Sequence, residues 1–139
     1  MTQLDNPHTT NQWDDLFKQA IEAREYSYSP YSQYKVGAAL LSKSGKVYTG
    51  CNIENAAYTP SVCAERTAIF KAVSEGEKEF VAIAIATLNG GTPCGVCRQV
   101  IREFAPDMII IFGAIEGDYQ VRSLSELLPH SFGPESLSP

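Results

Sequence analysis

The 139-residue sequence is 44% hydrophobic and 19% charged, with a net charge of −5 and a pI near 5.0. That length suits one domain around a single core, and every apolar run falls short of the roughly 20 residues needed to cross a bilayer. Lysines and arginines are scattered, which argues against the clustered basic face on which nucleic-acid binding depends. Residues 1–10 are polar and lack the basic-then-apolar layout of a signal peptide. The expectation is a cytoplasmic protein acting on a small neutral molecule, with neither nucleic acid nor membrane as partner.

Trp13, Leu16, Phe17, Ala20 and Ile21 recur at helical spacing, so the first helix is predicted over Asn11–Arg24, with Asn11 as a candidate N-cap. Pro30 ends any helical continuation, and Tyr26–Tyr34 reads as a Ser/Tyr/Pro loop. Val36–Leu41 and Lys46–Cys51 flank the turn Ser42-Lys43-Ser44-Gly45 and predict a β-hairpin. Asn52–Pro60 is a second long loop, placed where a rigid scaffold commonly carries function.

A helix is expected from Ser61 or Val62 to about Ser74, with Ala64, Ala68, Ile69, Ala72 and Val73 as its apolar stripe and Gly76 as its stop. Phe80–Thr87 is almost continuously apolar, as a central strand covered on both faces must be. After the break Asn89-Gly90-Gly91 come a helix over about Gly95–Phe104 and a buried strand over Asp107–Phe112. Tyr119–Arg122 reads as an edge strand and Ser123–Leu128 as a helical turn or two. The alternation predicts an α/β fold with a mixed sheet: an antiparallel hairpin first, then strands joined by helical crossovers. Residues 1–139 read as one domain, with 1–10 and 133–139 as loose tails.

Four cysteines in a chain expected to be cytoplasmic suggest ligands or free thiols rather than disulfides. Cys94-Gly95-Val96-Cys97 alone fits either a redox pair or half of a metal site. Cys63, also at a helix start, favours metal, because a helix N-terminus stabilises thiolates. Cys63, Cys94 and Cys97 together would hold zinc with one tetrahedral position open, the mark of a catalytic rather than a structural site. Cys51 could close that position, although its place at a strand end in an apolar context favours a buried free thiol.

Arg66, three residues after Cys63, lies on the same helical face and could withdraw charge from the sulfurs; a plain surface arginine fits the spacing equally well. Arg98, beside Cys97, is a weaker candidate for that role. In mid-helix, Cys63 and Glu65 would point about 200° apart. With Cys63 at the first helical position both could fringe the helix mouth, and Glu65 could move protons there. A glutamate simply favoured by the helix dipole fits as well.

Cys63-Ala64-Glu65 followed by Pro93-Cys94-Gly95-Val96-Cys97 resembles the zinc-dependent nucleobase deaminases. The blocks Pro30-Tyr31-Ser32, Val36–Leu40, Gly50–Tyr58, Cys63–Ala68, Pro93–Gln99 and Leu127-Leu128-Pro129 to Phe132 are similar, in the same order, to the small three-cysteine cytidine deaminases. That resemblance implies a three-layer α/β/α sandwich around a five-stranded mixed sheet and one Zn²⁺ per subunit on Cys63, Cys94 and Cys97. It implies Glu65 as general acid/base in the hydrolytic deamination of free cytidine and 2′-deoxycytidine, with release of ammonia, in pyrimidine salvage. It further implies Asn52, Glu54, Tyr34, Ala64 and Phe132 in substrate binding and Arg66 beside the zinc ligands. Tyr58 and Phe132 would act across the interfaces of a homotetramer. Tyr34 stands where that family often has Phe. A phosphorylated or polymeric substrate and a cytosine-containing antibiotic are the competing substrates, and Glu54 argues against a phosphate by charge.

Overall fold

Phe80–Thr87, the longest apolar run, forms strand β3, the central strand of the sheet, and Ala82 to Ala86 are all buried. In the computed structural model, which describes residues 11–137, this strand lies inside a five-stranded sheet of order β2-β1-β3-β4-β5. The strands are β1 Gly37–Ser42, β2 Val47–Cys51, β3, β4 Ile109–Ala114 and β5 Tyr119–Ser123. The helices are α1 Asn11–Ala23, α2 Ala64–Ser74, α3 Gly95–Phe104 and the short α4 Leu124–Leu127.

Two-residue alternation along β3 assigns each helix to a face. Ile83 and Ile85 pack with Ala68, Ile69 and Ala72 of α2 and Ile101 of α3. Ala82, Ala84 and Ala86 face the other way, onto Trp13, Leu16, Phe17 and Ala20 of α1. The result is the expected α/β/α sandwich. Small residues set how closely the layers approach. A Cβ on Gly37 would lie 1.9 Å from the carbonyl oxygen of Ala20, and one on Gly50 would lie 2.6 Å from the backbone of both Ala64 and Ala68. Gly50 therefore lets the first turn of α2 sit directly on β2, and that contact fixes where Cys63 and Glu65 emerge.

Most predicted boundaries agree with the structure to within two residues. The connections differ more. Only β3 and β4 are parallel, joined across α3, whereas β4 and β5 form an antiparallel pair. Glu116-Gly117-Asp118 makes that turn, with Gly117 at φ +118, and so short a connection leaves no room for a crossover helix. Helix α1 ends at Ala23 and tightens into a 3₁₀ turn over Arg24–Tyr26. Helix α2 begins at Ala64, with Cys63 as its extended N-cap (φ −75, ψ 156) rather than its first helical residue. Pro134–Leu137 form a 3₁₀ turn where a loose tail is expected. Arg102 of α3 holds that turn, bonding Ser131 at 2.8 Å and pairing with Glu135. Residues 1–10 and the side chain of Asn11, the expected N-cap, lie outside the described residues.

Candidate active site

Helices α2 and α3 both start at the edge of the sheet where β2 and β3 end, and each is capped by a cysteine. Cys63 caps α2 and Cys94 caps α3, both extended, and the Cys97 amide donates to Cys94 Sγ at 3.4 Å. Cys97, one turn into α3, is fully buried beneath them. The three sulfurs lie within 4.8 Å of one another, Cys63 and Cys94 at 3.7 Å, and they are the one such ligand group among the described residues. A tetrahedral zinc with Zn–S bonds of about 2.3 Å needs sulfurs about 3.8 Å apart. The donor set fits zinc in both spacing and chemistry.

The Arg66 guanidinium donates to Cys63 Sγ at 3.3 Å, while its buried Nε has no hydrogen-bond partner among the described residues. That is an arrangement suited to a negatively charged cluster. Hydrogen bonding from the Cys97 thiol, followed by Arg66, pushes Cys63 down to about 5; donation to Cys63, with burial, pushes Cys97 up. Arg98 does not join this group. Its guanidinium bonds the carbonyls of Pro93 at 2.8 Å and Leu127 at 2.7 Å and the Thr92 hydroxyl at 3.0 Å. Being in α3 itself, it ties the segment before Cys94 back onto the helix, and so positions a ligand rather than polarising one.

The N-cap placement of Cys63 resolves the angular difficulty with Glu65. A residue outside the helix is free of the 100° step that separates helical neighbours, so both side chains reach one cavity. This cavity, of about 310 Å³, is lined by Tyr34, Asn52, Glu54, Cys63, Glu65, Arg66 and Cys94, with Ser32, Val36, Thr87 and Gly91 among its other walls. Glu65 is only 3% exposed, and burial, reinforced by the neighbouring Cys63, pushes its carboxyl up to about 7.

Asn52 and Glu54 grip the loop opposite. Asn52 Nδ2 donates to the Tyr34 carbonyl at 2.7 Å and its Oδ1 accepts from Val36 N at 3.0 Å. Glu54 accepts from the amides of Tyr31 and Ser32 at 3.0 and 3.1 Å and from the Ser32 hydroxyl, which holds its carboxyl below the usual range. Ile53 between them makes isolated bridges to Tyr28 and Val62, which tie the two loops to the residue just before Cys63.

Three expected site residues are not among those lining the cavity of this single chain. Ala64 is fully buried at the start of α2, and Tyr58 and Phe132 are exposed on its outer surface. Cys51 stands apart as well, opening on a second cavity of about 410 Å³ with Gln19 and Lys71. It is half-buried rather than buried, with its thiol pushed up by desolvation, and it takes no part in the three-sulfur group. Thr87, Asn89 and Ser32 carry site contacts that the sequence reading leaves unassigned. Thr87 was findable as the polar end of an otherwise apolar strand, since ligands in α/β sheets gather at strand carboxyl ends.

A mixed sheet with two cysteine-capped helices converging on a buried glutamate defines a zinc-binding deaminase domain. The model of the cytidine and deoxycytidylate deaminase zinc-binding region matches residues 10–113, and the chain belongs to that family. A cytidine deaminase of Halalkalibacterium halodurans is 52% identical over 126 residues, covering 88% of this chain and 96% of the relative. One of Sporosarcina psychrophila is 47% identical over 128 residues, covering 90% and 94%. The crystal structure of cytidine deaminase from Burkholderia pseudomallei superposes with a TM-score of 0.83 at 45% identity, covering 86% of this chain and 98% of that one.

Proposed function

We propose that this chain catalyses the zinc-dependent hydrolytic deamination of free cytidine and 2′-deoxycytidine to uridine and 2′-deoxyuridine, with release of ammonia. The observation that carries the reading is the meeting of three sulfurs and one buried carboxyl at the mouths of two helices, in a chain whose relatives are named cytidine deaminases along nearly its whole length.

Cys63, Cys94 and Cys97 would hold the ion and Arg66 would offset their charge. When bound, zinc supplies Lewis acidity and makes water a nucleophile near neutral pH. Glu65 takes a proton from the attacking water and gives it to N3 of the base as the C4–O bond forms; it then passes the remaining hydroxyl proton to the amine as the C4–N bond breaks, leaving the C4 carbonyl and ammonia. A carboxyl raised by burial to about 7 is suited to both halves of that task. Val36 and Ile85 give the cavity an apolar floor, and Tyr34 offers a ring to the base. Asn52 retains a second amide hydrogen, and Glu54 its acceptor capacity, for ribose hydroxyls. A carboxylate there repels phosphate, which favours the free nucleoside.

Tyr58 and Phe132 are large, exposed and outside their own chain's cavity. That suits a role in completing a neighbour's site within a homotetramer, with Ala64 meeting substrate through its backbone. Pyrimidine salvage in the cytoplasm is part of the same proposal. The described residues contain no helix long and apolar enough to cross a membrane.

The test is uridine and ammonia release from cytidine by zinc-analysed protein, with Glu65→Gln alongside. The expected result is one zinc per chain in both proteins and turnover lowered by about 10²–10⁴-fold in the variant. Zinc-replete wild type without turnover of either nucleoside would refute the substrate, and protein that never binds zinc would refute the reaction.

A further inference from the structure

The Tyr34 side chain is held at both ends. Its amide donates to Ser32 Oγ at 3.0 Å and its carbonyl accepts from Asn52 Nδ2 at 2.7 Å, so its backbone is fixed to one wall of the cavity. At the far end its hydroxyl donates to Asn89 Oδ1 at 2.6 Å, on the loop that forms the opposite wall. That loop is built to receive it. The Thr87 hydroxyl, 2% exposed, accepts from the amides of Gly90 at 2.7 Å and Gly91 at 2.9 Å and lies 3.4 Å from Asn89 Oδ1. Gly90 sits at φ +80, and a Cβ on Gly91 would come within 3.0 Å of the Tyr34 hydroxyl, so the Gly90-Gly91 pair is what lets the loop approach the ring.

We propose that Tyr34 and Asn89 form a latch across the mouth of the cavity, closed by a hydroxyl that a phenylalanine would lack, and that the latch positions the wall against which the base is held. Asn89 is then a positioning residue that acts through Tyr34. The latch is mechanically separate from the metal ligands. Cys94 follows the same loop, but Arg98 holds Thr92 and Pro93 independently, and Cys63 and Glu65 belong to α2. Releasing the latch therefore loosens nucleoside binding and leaves the sulfur cluster in place.

The kinetic part rests on the deaminase reading, so two readouts are needed. Tyr34→Phe, Asn89→Ala and the double variant are compared with wild type for kcat and KM on cytidine, zinc content, melting temperature and hydrogen exchange at the Gly90 and Gly91 amides. Each single variant is expected to lose about 3–10-fold in kcat/KM, carried by KM, the range that one net hydrogen bond allows. Gly90 and Gly91 are expected to exchange faster, with zinc content and melting temperature held. The double variant is expected to be no worse than either single one, because the two changes break one bond. Additive losses, unchanged KM with unchanged exchange, or a loss that follows zinc content or melting temperature would each overturn the latch. Should wild type fail to turn over cytidine, the deaminase reading falls, and exchange at Gly90 and Gly91 alone decides whether the latch stands.

Discussion

Cys63 and Cys94 occupy equivalent positions in their helices, and this repetition explains the chemistry of the cluster. An N-cap side chain sits where backbone amides are unpaired and the helix dipole is positive, and these two N-caps bring their sulfurs to one point. Glu65, one position past the first helical residue, is buried instead of solvated, and its proton affinity rises accordingly. Cys51 has neither advantage. It ends β2 on the far side of α2, and desolvation opposes its ionisation. Cys51→Ala is therefore expected to keep one zinc per chain and turnover within about twofold of wild type, whereas a closed four-cysteine site would lose metal. Metal analysis and a steady-state assay check this together. The cysteines and Glu65 were legible as residues of the site because C-x-E and P-C-x-x-C pair so few residue types at such restricted spacing. Arg98 was misjudged because adjacency to Cys97 says nothing about direction; its side chain runs back along α3 to backbone carbonyls.

Among the elements, α2 matters most, because its N-cap is one of the three clustered cysteines and its first turn carries the buried carboxyl of Glu65. Its position is set by Gly50, above which the backbone of α2 passes too closely for any side chain. Gly50→Ala is expected to destabilise the fold by about 1–3 kcal/mol through overpacking. It should also lower zinc occupancy, since pushing α2 off β2 separates Cys63 from Cys94. Thermal denaturation with metal analysis would show both effects; normal stability with full zinc would mean that α2 is placed by other contacts. Helix and strand spans were readable from periodicity, while the β4–β5 pairing was not. Both a hairpin and a crossover suit an apolar run followed by a short amphipathic one, and only the brevity of the turn at Gly117 decides between them.

For the whole molecule, the C-terminal segment has a defined place. Gln99 bonds the Phe132 carbonyl at 2.9 Å, and Arg102 packs against Gly133, where a Cβ would lie 2.4 Å from the guanidinium. Phe132 is presented outward from a fixed support, 58% exposed, with Tyr58 similarly exposed and packed edge-on against Tyr31. In the proposed homotetramer these rings become buried. Sedimentation is expected to give the mass of four chains, and Phe132→Ala to weaken cytidine binding by about 10-fold or more, as loss of a buried aromatic contact does. A fully active monomer would remove the intersubunit roles of both residues.

By itself the sequence pointed to the three clustered cysteines, to Glu65 beside them and to the helix and strand spans, because each depends on residue type or short spacing. The tertiary structure decided which polar residues share a cavity. Asn52 and Glu54 come from the loop after β2 and Thr87 from the end of β3, and their meeting depends on strand order and on two glycines thin enough to let helices close on the sheet. It also decided that Asn89 is joined to Tyr34 across 55 residues. A hydrogen bond between distant loops leaves no local periodicity, so only the folded chain reveals it.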